Sequence, residues 1–321
     1  MQRLYKLHTD GLISRNELNV ALSSELDATT EHSIGYEAEV LTSAQYDLGK
    51  FSVIQAFGND YLSRTRQVSV DVEPYGYDVA PEGLYELQSP VYNSPDALTI
   101  SALGIARKGW LPKIPTRGLI TSHVSIGTNQ ALHPQDIKDM TPALRAVEIC
   151  NGTTANRLLS PFKIAPHSGL RPKYEQGVSW DCKGFAGIKI EEFTDTHNLL
   201  NNKLYTTKNR MEFRTLGYYS IGQFHTTLER LYFFSRALVG GQSDAREHFD
   251  TYSRWTINFF KQRGLPIEPT EDEYKYSNYF RQYADFIASK TNVDELIDRT
   301  NQAIDQLRRV FNMPSRLKDK L

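Results

Sequence analysis

Met211-Glu212-Phe213-Arg214-Thr215-Leu216 is the stretch that decides how this chain is read. Its apolar residues alternate closely with charged ones, which is the pattern of a half-buried strand. Successive side chains of a strand leave opposite faces, so Glu212 and Arg214 share one face and Phe213 takes the other. A carboxylate and a guanidinium are costly to bury unless something pairs with them. A divalent metal on the acid and a phosphate on the base would supply that pairing. The alternative is an ordinary cross-strand ion pair on a solvated face, which is common and nearly neutral in energy. What favours the first reading is company elsewhere in the chain.

Working outward, short alternating segments dominate residues 33–126 and return over 184–217. Ser33-Ile34-Gly35-Tyr36-Glu37-Ala38-Glu39-Val40, Gln67-Val68-Ser69-Val70-Asp71-Val72-Glu73, Leu84-Tyr85-Glu86-Leu87 and Leu119-Ile120-Thr121-Ser122-His123-Val124-Ser125-Ile126 all predict strands. Phe185-Ala186-Gly187-Ile188-Lys189-Ile190 is a further one. Helices fit 95–110 and 134–151, each opened by a proline in its first turn. From Tyr219 the period becomes helical: Phe224, Leu228, Leu231, Tyr232, Ser235 and Leu238 recur up to the stop at Gly240-Gly241. Further helices are predicted over 244–263, 270–289 and 292–311. The outline is an antiparallel or mixed sheet with packed helices, then an all-helical end.

Four of these strands carry ionisable residues where a structural strand would prefer none. Glu37 and Glu39 share a face about 6–7 Å apart, where like charges repel unless a cation sits between them. Glu86 lies on a strand ending at Ser89-Pro90, and His123 sits among small residues. Carboxylate oxygens with one imidazole suit magnesium or manganese better than zinc or copper. Taken singly, a Glu-x-Glu is a solvent face and a strand histidine a structural residue; one sheet can gather all four. A second cluster, Asn156-Arg157-Leu158-Leu159-Ser160-Pro161-Phe162-Lys163 leading to Pro166-His167-Ser168-Gly169-Leu170-Arg171-Pro172-Lys173, reads as a basic loop. It suits a nucleotide-phosphate clamp, with Arg making bidentate contacts, or else a solvated connection. Neither a P-loop nor a Gly-x-Gly-x-x-Gly after a strand occurs.

The composition narrows the classes. With 37 basic and 38 acidic residues in 321, there is no global field to recruit nucleic acid or an anionic membrane, so neither partner is expected. An aromatic content of 11% argues for an ordered chain. Two cysteines, Cys150 and Cys182, make no disulfide framework, and no signal peptide or membrane span is apparent. A cytoplasmic protein is the expectation.

The order of the motifs resembles a family. Gly35-Tyr36-Glu37-Ala38-Glu39, Glu86-Leu87-Gln88-Ser89-Pro90, His123-Val124-Ser125-Ile126-Gly127 and Glu212-Phe213-Arg214 are similar, in order and spacing, to the strand motifs of carboxylate–amine ligases with the glutamine-synthetase fold. Phage- and plasmid-associated amidoligases resemble the chain most in size, with glutamate–cysteine ligases further off. The resemblance covers residues 34–238. It implies an α+β fold: a curved, mostly antiparallel sheet with helices packed on one side, followed by a helical C-terminal region. The implied divisions are an N-terminal extension 1–32, a catalytic domain 33–240 and helices 241–321 packed on it. It also implies ATP with magnesium or manganese held by Glu37, Glu39, Glu86, His123 and Glu212, and, as catalytic residues, Glu37 together with Arg214, which would stabilise the transferred phosphoryl group. Arg157, Arg171, Lys173 and Ser125 would face the nucleotide. The family's second histidine is Ser125 here, and Glu82 would share a face with Glu86.

The implied activity is ATP-dependent amide or isopeptide ligation of a small-molecule or peptide acid and amine, in the cytoplasm, that of the host if phage-encoded. Such chemistry leaves little covalent work to the protein, in keeping with the lack of a Ser/His/Asp arrangement. The rivals are a guanidino phosphotransferase and a non-catalytic scaffold of the same fold. At the C-terminal end, the aromatic stripes Tyr252, Trp255, Phe259, Phe260 and Tyr274, Tyr276, Tyr279, Phe280, Tyr283 read as packing. The basic residues 316–320 read as a mobile tail or a partner contact.

Overall fold

The computed structural model describes residues 1–28, 31–41, 64–68, 84–107, 122–130, 134–158, 188–193, 208–213, 221–265, 267 and 292–321. Six strands form one sheet: β1 His32–Leu41, β2 Arg64–Val68, β3 Leu84–Gln88, β4 Ser122–Thr128, β5 Ile188–Phe193 and β6 Lys208–Phe213. Their order is β2-β3-β1-β4-β6-β5, and every neighbouring pair is antiparallel. One face carries buried Ile34, Tyr36, Val124, Ile126, Met211 and Phe213, the period-2 positions that an apolar layer must cover.

Helices cover that face. α3 Pro95–Arg107 touches β1, and α5 Ile221–Val239 touches β4, with the Tyr36 and Phe224 rings edge to face at 4.8 Å. Behind them lie α4 Pro134–Leu158, α6 Ser243–Gln262 and α7 Val293–Val310. The aromatic stripe of α6 is packing: Tyr252, Phe259 and Phe260 are buried, and Tyr252 stacks on Phe234. The second stripe, from Tyr274 to Tyr283, and the helix expected over 270–289 lie outside the described residues.

The first 28 residues are two helices, α1 Gln2–Thr9 and α2 Arg15–Asp27, joined through Gly11 at φ +73°. Ser14 opens α2 with a capping box: its hydroxyl accepts from the Glu17 amide, while Glu17 accepts from the Ser14 amide. Both oxygens of Glu17 also take the Arg107 guanidinium at 2.8 Å, tying α2 to α3. Leu4 and Leu7 are fully buried, and Leu7 and Ile13 press on Gly104 so closely that a Cβ there would lie 3.0 Å from each.

Three details correct the sequence reading. β2 spans 64–68, so the expected strand 67–73 overlaps it in two residues and otherwise lies outside the described residues. α4 continues to Leu158, because after Gly152 the next helix breaker is Pro161; Asn156, Arg157 and Leu158 are helical, not loop. The C-terminal residues are docked rather than free. Leu317, in the short helix α8 Leu317–Lys320, is buried, Arg316 Nε donates to Asp305 at 3.0 Å, and Lys320 Nζ reaches Asp96 Oδ2 at 2.8 Å. Two of the three basic residues of the tail, Arg316 and Lys320, meet acids, while Lys318 stays exposed. No described helix is long and apolar enough to cross a membrane.

Candidate functional site

Directly opposed residues in an antiparallel pair share a face, so the register decides which charged residues can meet. Glu39 opposes Glu86, and Glu37 opposes Gln88 on one side and His123 on the other. Ser125 opposes Gly35 and Glu212. Glu37, Glu39, Glu86, His123, Ser125 and Glu212 therefore occupy one face, the reverse of the face on which Tyr36, Val124 and Phe213 are covered by helices.

Their spacing follows from strand geometry. Opposed residues lie about 5 Å apart and alternate residues of one strand about 6–7 Å. Glu86, Glu39, Glu37, His123 and Glu212 thus trace a diagonal across four strands, each step roughly 5–8 Å long. On a flat sheet the two ends would be roughly 20 Å apart, too far for one ion to touch both. The line divides into Glu86 with Glu39, and Glu37 with His123 and Glu212. Four carboxylates and one imidazole are a donor set for a hard divalent cation. Ser125, half-buried on the same face, has a hydroxyl shut off from solvent and without a hydrogen-bond partner among the described residues. Such an atom calls for a ligand or water.

Bases flank the acids, and the sequence reading assigned them no role. Arg66 on the edge strand β2 opposes Glu86, and Arg64 opposes Gln88. Lys189 on the other edge strand, β5, opposes Glu212, and Arg210 opposes Glu191. The alternation in Arg64-Thr65-Arg66 and in Ile188-Lys189-Ile190 was the only local signal, and it could not say which acid each would face. Arg214 directly follows the last described residue of β6 and lies outside the described set, as do Arg171 and Lys173. Arg157 is in the last turn of α4.

A second ionisable cluster sits in the helical layer, outside the predicted site. His225 Nε2 lies 2.9 Å from Asp96 Oδ1, and His225 Nδ1 lies 3.7 Å from Glu229 Oε2. Asp96 Oδ2 accepts from Ser24 at 3.0 Å and from Lys320, and Glu229 takes the fully buried Arg308. Burial alone would raise the Asp96 carboxyl, but hydrogen bonds from His225 and Lys320 outweigh it and hold the group well below the usual carboxylate range. The three ligand-type residues are close enough to hold a metal. Each carboxylate, however, already has a protein cation, so the cluster reads as a charge network binding α2, α3, α5 and the C-terminal residues together.

No protein-family model matches the chain, and no curated protein matches it. A solved structure described as a novel glutamine synthase homolog is similar to it at 13% identity and a TM-score of 0.33, over 95% of this chain and 72% of that one. At that score the likeness does not establish a shared fold.

Proposed function

We propose that the chain is an ATP-dependent carboxylate–amine ligase of the cytoplasm, forming an amide or isopeptide bond through an acyl phosphate. The observation that carries this reading is the register: five metal-type ligands from four strands fall on the one sheet face that the described helices leave uncovered. In this reading the sheet is the curved catalytic sheet of a glutamine-synthetase-like enzyme, curvature drawing the ends of the diagonal together. Glu39 and Glu86 would hold one magnesium or manganese ion, and Glu37, His123 and Glu212 a second. Bound there, the ions would supply charge neutralisation for the triphosphate and the transferring phosphoryl group.

The chain's own groups orient and stabilise. A substrate carboxylate oxygen attacks the γ-phosphorus, the bond to the β–γ bridging oxygen breaks, and ADP departs. The amine then attacks the acyl carbon, the C–O bond to phosphate breaks, and the amine proton leaves to solvent. Arg214, two residues beyond Glu212, would stabilise the charge that develops on the phosphoryl oxygens. Arg157, Arg171 and Lys173 would contact the nucleotide phosphates, and the Ser125 hydroxyl would face nucleotide or acid. The acid and amine are small molecules or peptides.

A second reading, a non-catalytic scaffold, is favoured by one observation: Arg66 opposes Glu86 and Lys189 opposes Glu212, so two of the acids have a basic neighbour of their own. One assay separates them. ADP release is measured with manganese or magnesium across amino acids, polyamines and peptides. The ligase releases ADP only when an acid and an amine are both present, and Arg214→Ala lowers the rate about 10²-fold with unfolding unchanged. Absent turnover across the panel would leave the scaffold.

A further inference from the structure

At the start of β1 stands His32, 1% exposed, with neither ring nitrogen hydrogen-bonded among the described residues. Arg236, in the last turn of α5, is 4% exposed. Its Nη1 lies 3.8 Å from Met313 Sδ, and its guanidinium carbon lies 4.0 Å from the centre of the Phe311 ring. Tyr232, whose hydroxyl donates to the Asn93 carbonyl at 2.8 Å, is its neutral polar neighbour. No carboxylate among the described residues pairs with it. The contrast with Arg308 is direct, because that equally buried guanidinium has Glu229.

Gly240 sets the His32 ring against the end of α5, one turn beyond Arg236. Its amide donates to the Arg236 carbonyl at 2.8 Å, and a Cβ at this position would lie 3.4 Å from His32 Cε1. Burial, and then the nearby charge of Arg236, push the His32 imidazole down to about 4, so near neutral pH it is an uncharged ring with one N–H to donate. A thioether and a ring face are weak partners for a guanidinium. A buried charge without a counter-charge is one of the most destabilising arrangements a fold can carry.

We propose that a small inorganic anion of the halide class, chloride in the cell, binds between His32 and Arg236. It accepts hydrogen bonds from the guanidinium and from the imidazole N–H, and it ties the start of β1 and the end of α5 to the segment around Phe311 and Met313. A cation would be repelled by the guanidinium, and a water molecule would leave its charge unbalanced. The close contacts of Gly240, Phe311 and Met313 favour a monatomic anion over a tetrahedral one. None of these residues belongs to the proposed ligase site, so the inference stands or falls apart from that reading.

The test is thermal unfolding of the full chain at constant ionic strength, with sodium chloride replacing sodium gluconate. The midpoint should rise by roughly 5 °C between about 3 mM and 300 mM chloride. Arg236→Met should fold and lose that dependence, while Lys261→Met, which removes an exposed lysine elsewhere, should keep it. Crystals soaked in bromide should show an anomalous peak between His32 and Arg236, a result that needs no variant. Equal midpoints in chloride and gluconate, the same rise in Arg236→Met as in wild type, or no bromide peak at this position would each overturn the proposal.

Discussion

Arg308 is the most informative place to perturb this fold. Its side chain is 2% exposed, and its guanidinium holds Glu229 from α5 and the carbonyl of Ser315 beyond the end of α7. Arg308→Met keeps most of the volume and the apolar stem but leaves the Glu229 carboxylate buried without its cation. Removing one partner of a buried pair costs about 3–5 kcal/mol, mainly because the survivor stays desolvated. Glu229→Gln should cost a similar amount by stranding the guanidinium. The double variant removes both charges, so its cost should fall to about 1–2 kcal/mol, well short of the sum of the singles. Urea unfolding of the four proteins, followed by tryptophan fluorescence and by circular dichroism, gives the cycle. In thermal scans each single variant should lose roughly 5–15 °C. Losing Arg308 also frees the Ser315 carbonyl, so protease should cleave the C-terminal residues of Arg308→Met faster than those of wild type. Additive single costs, or a C-terminal segment equally protected in both proteins, would refute the idea that this buried pair anchors the tail.

Other outcomes follow from the same structure. Deleting residues 315–321 should lower the unfolding midpoint by several degrees, since Leu317 loses its burial and Lys320 its contact with Asp96; an unchanged midpoint would mean the segment contributes nothing to stability. Asp96 has a folded-state pKa below its unfolded value, so its contribution is complete above about pH 4 and fades as pH falls further. Asp96→Asn should therefore be less stable than wild type at pH 7, with the difference shrinking in acid, as urea titrations across pH will record. His32 is a base with its pKa lowered to about 4, so the unfolded chain binds its proton first. Stability should fall as pH drops from about 6.5 towards 4, by about 3 kcal/mol at most. His32→Phe should flatten that slope in chloride-free buffer, and an unaltered slope would assign it to other groups. For the sheet face, manganese titration by electron paramagnetic resonance should find two ions in wild type with ATP and one in Glu39→Gln; no ion in wild type would remove the metal reading.

Much of the architecture is local and therefore legible. The alternation of Ile34, Tyr36 and Val124, Ile126 with polar neighbours fixes both the strands and the face each residue takes. The same parity sets Glu37 with Glu39 and His123 with Ser125 before any partner strand is known. Helices over 244–263 and 292–311 came within a residue of α6 and α7, because their apolar spacing and the Asn292 cap that accepts from the Glu295 amide are written within a few turns. α4 runs on past Asn151 to Leu158, which its sequence does not announce, since a basic run punctuated by later prolines resembles a loop until the helix is seen to continue.

Sequence alone thus settled period, parity and the chemical character of the candidate ligands. The strand order β2-β3-β1-β4-β6-β5 is a different kind of fact, because it joins segments far apart in the chain through hydrogen bonds that carry no local signature. Only that order made Glu37 the neighbour of His123, and Glu212 the neighbour of both Ser125 and Lys189. The same holds for the helical layer, where Asp96 meets His225 and Lys320 across 129 and 224 residues of chain. Lys320 looks free in sequence because Asp96, the acid that neutralises it, is 224 residues away. Burial then decides, since a charge drawn into the interior persists only where folding brings its partner to it.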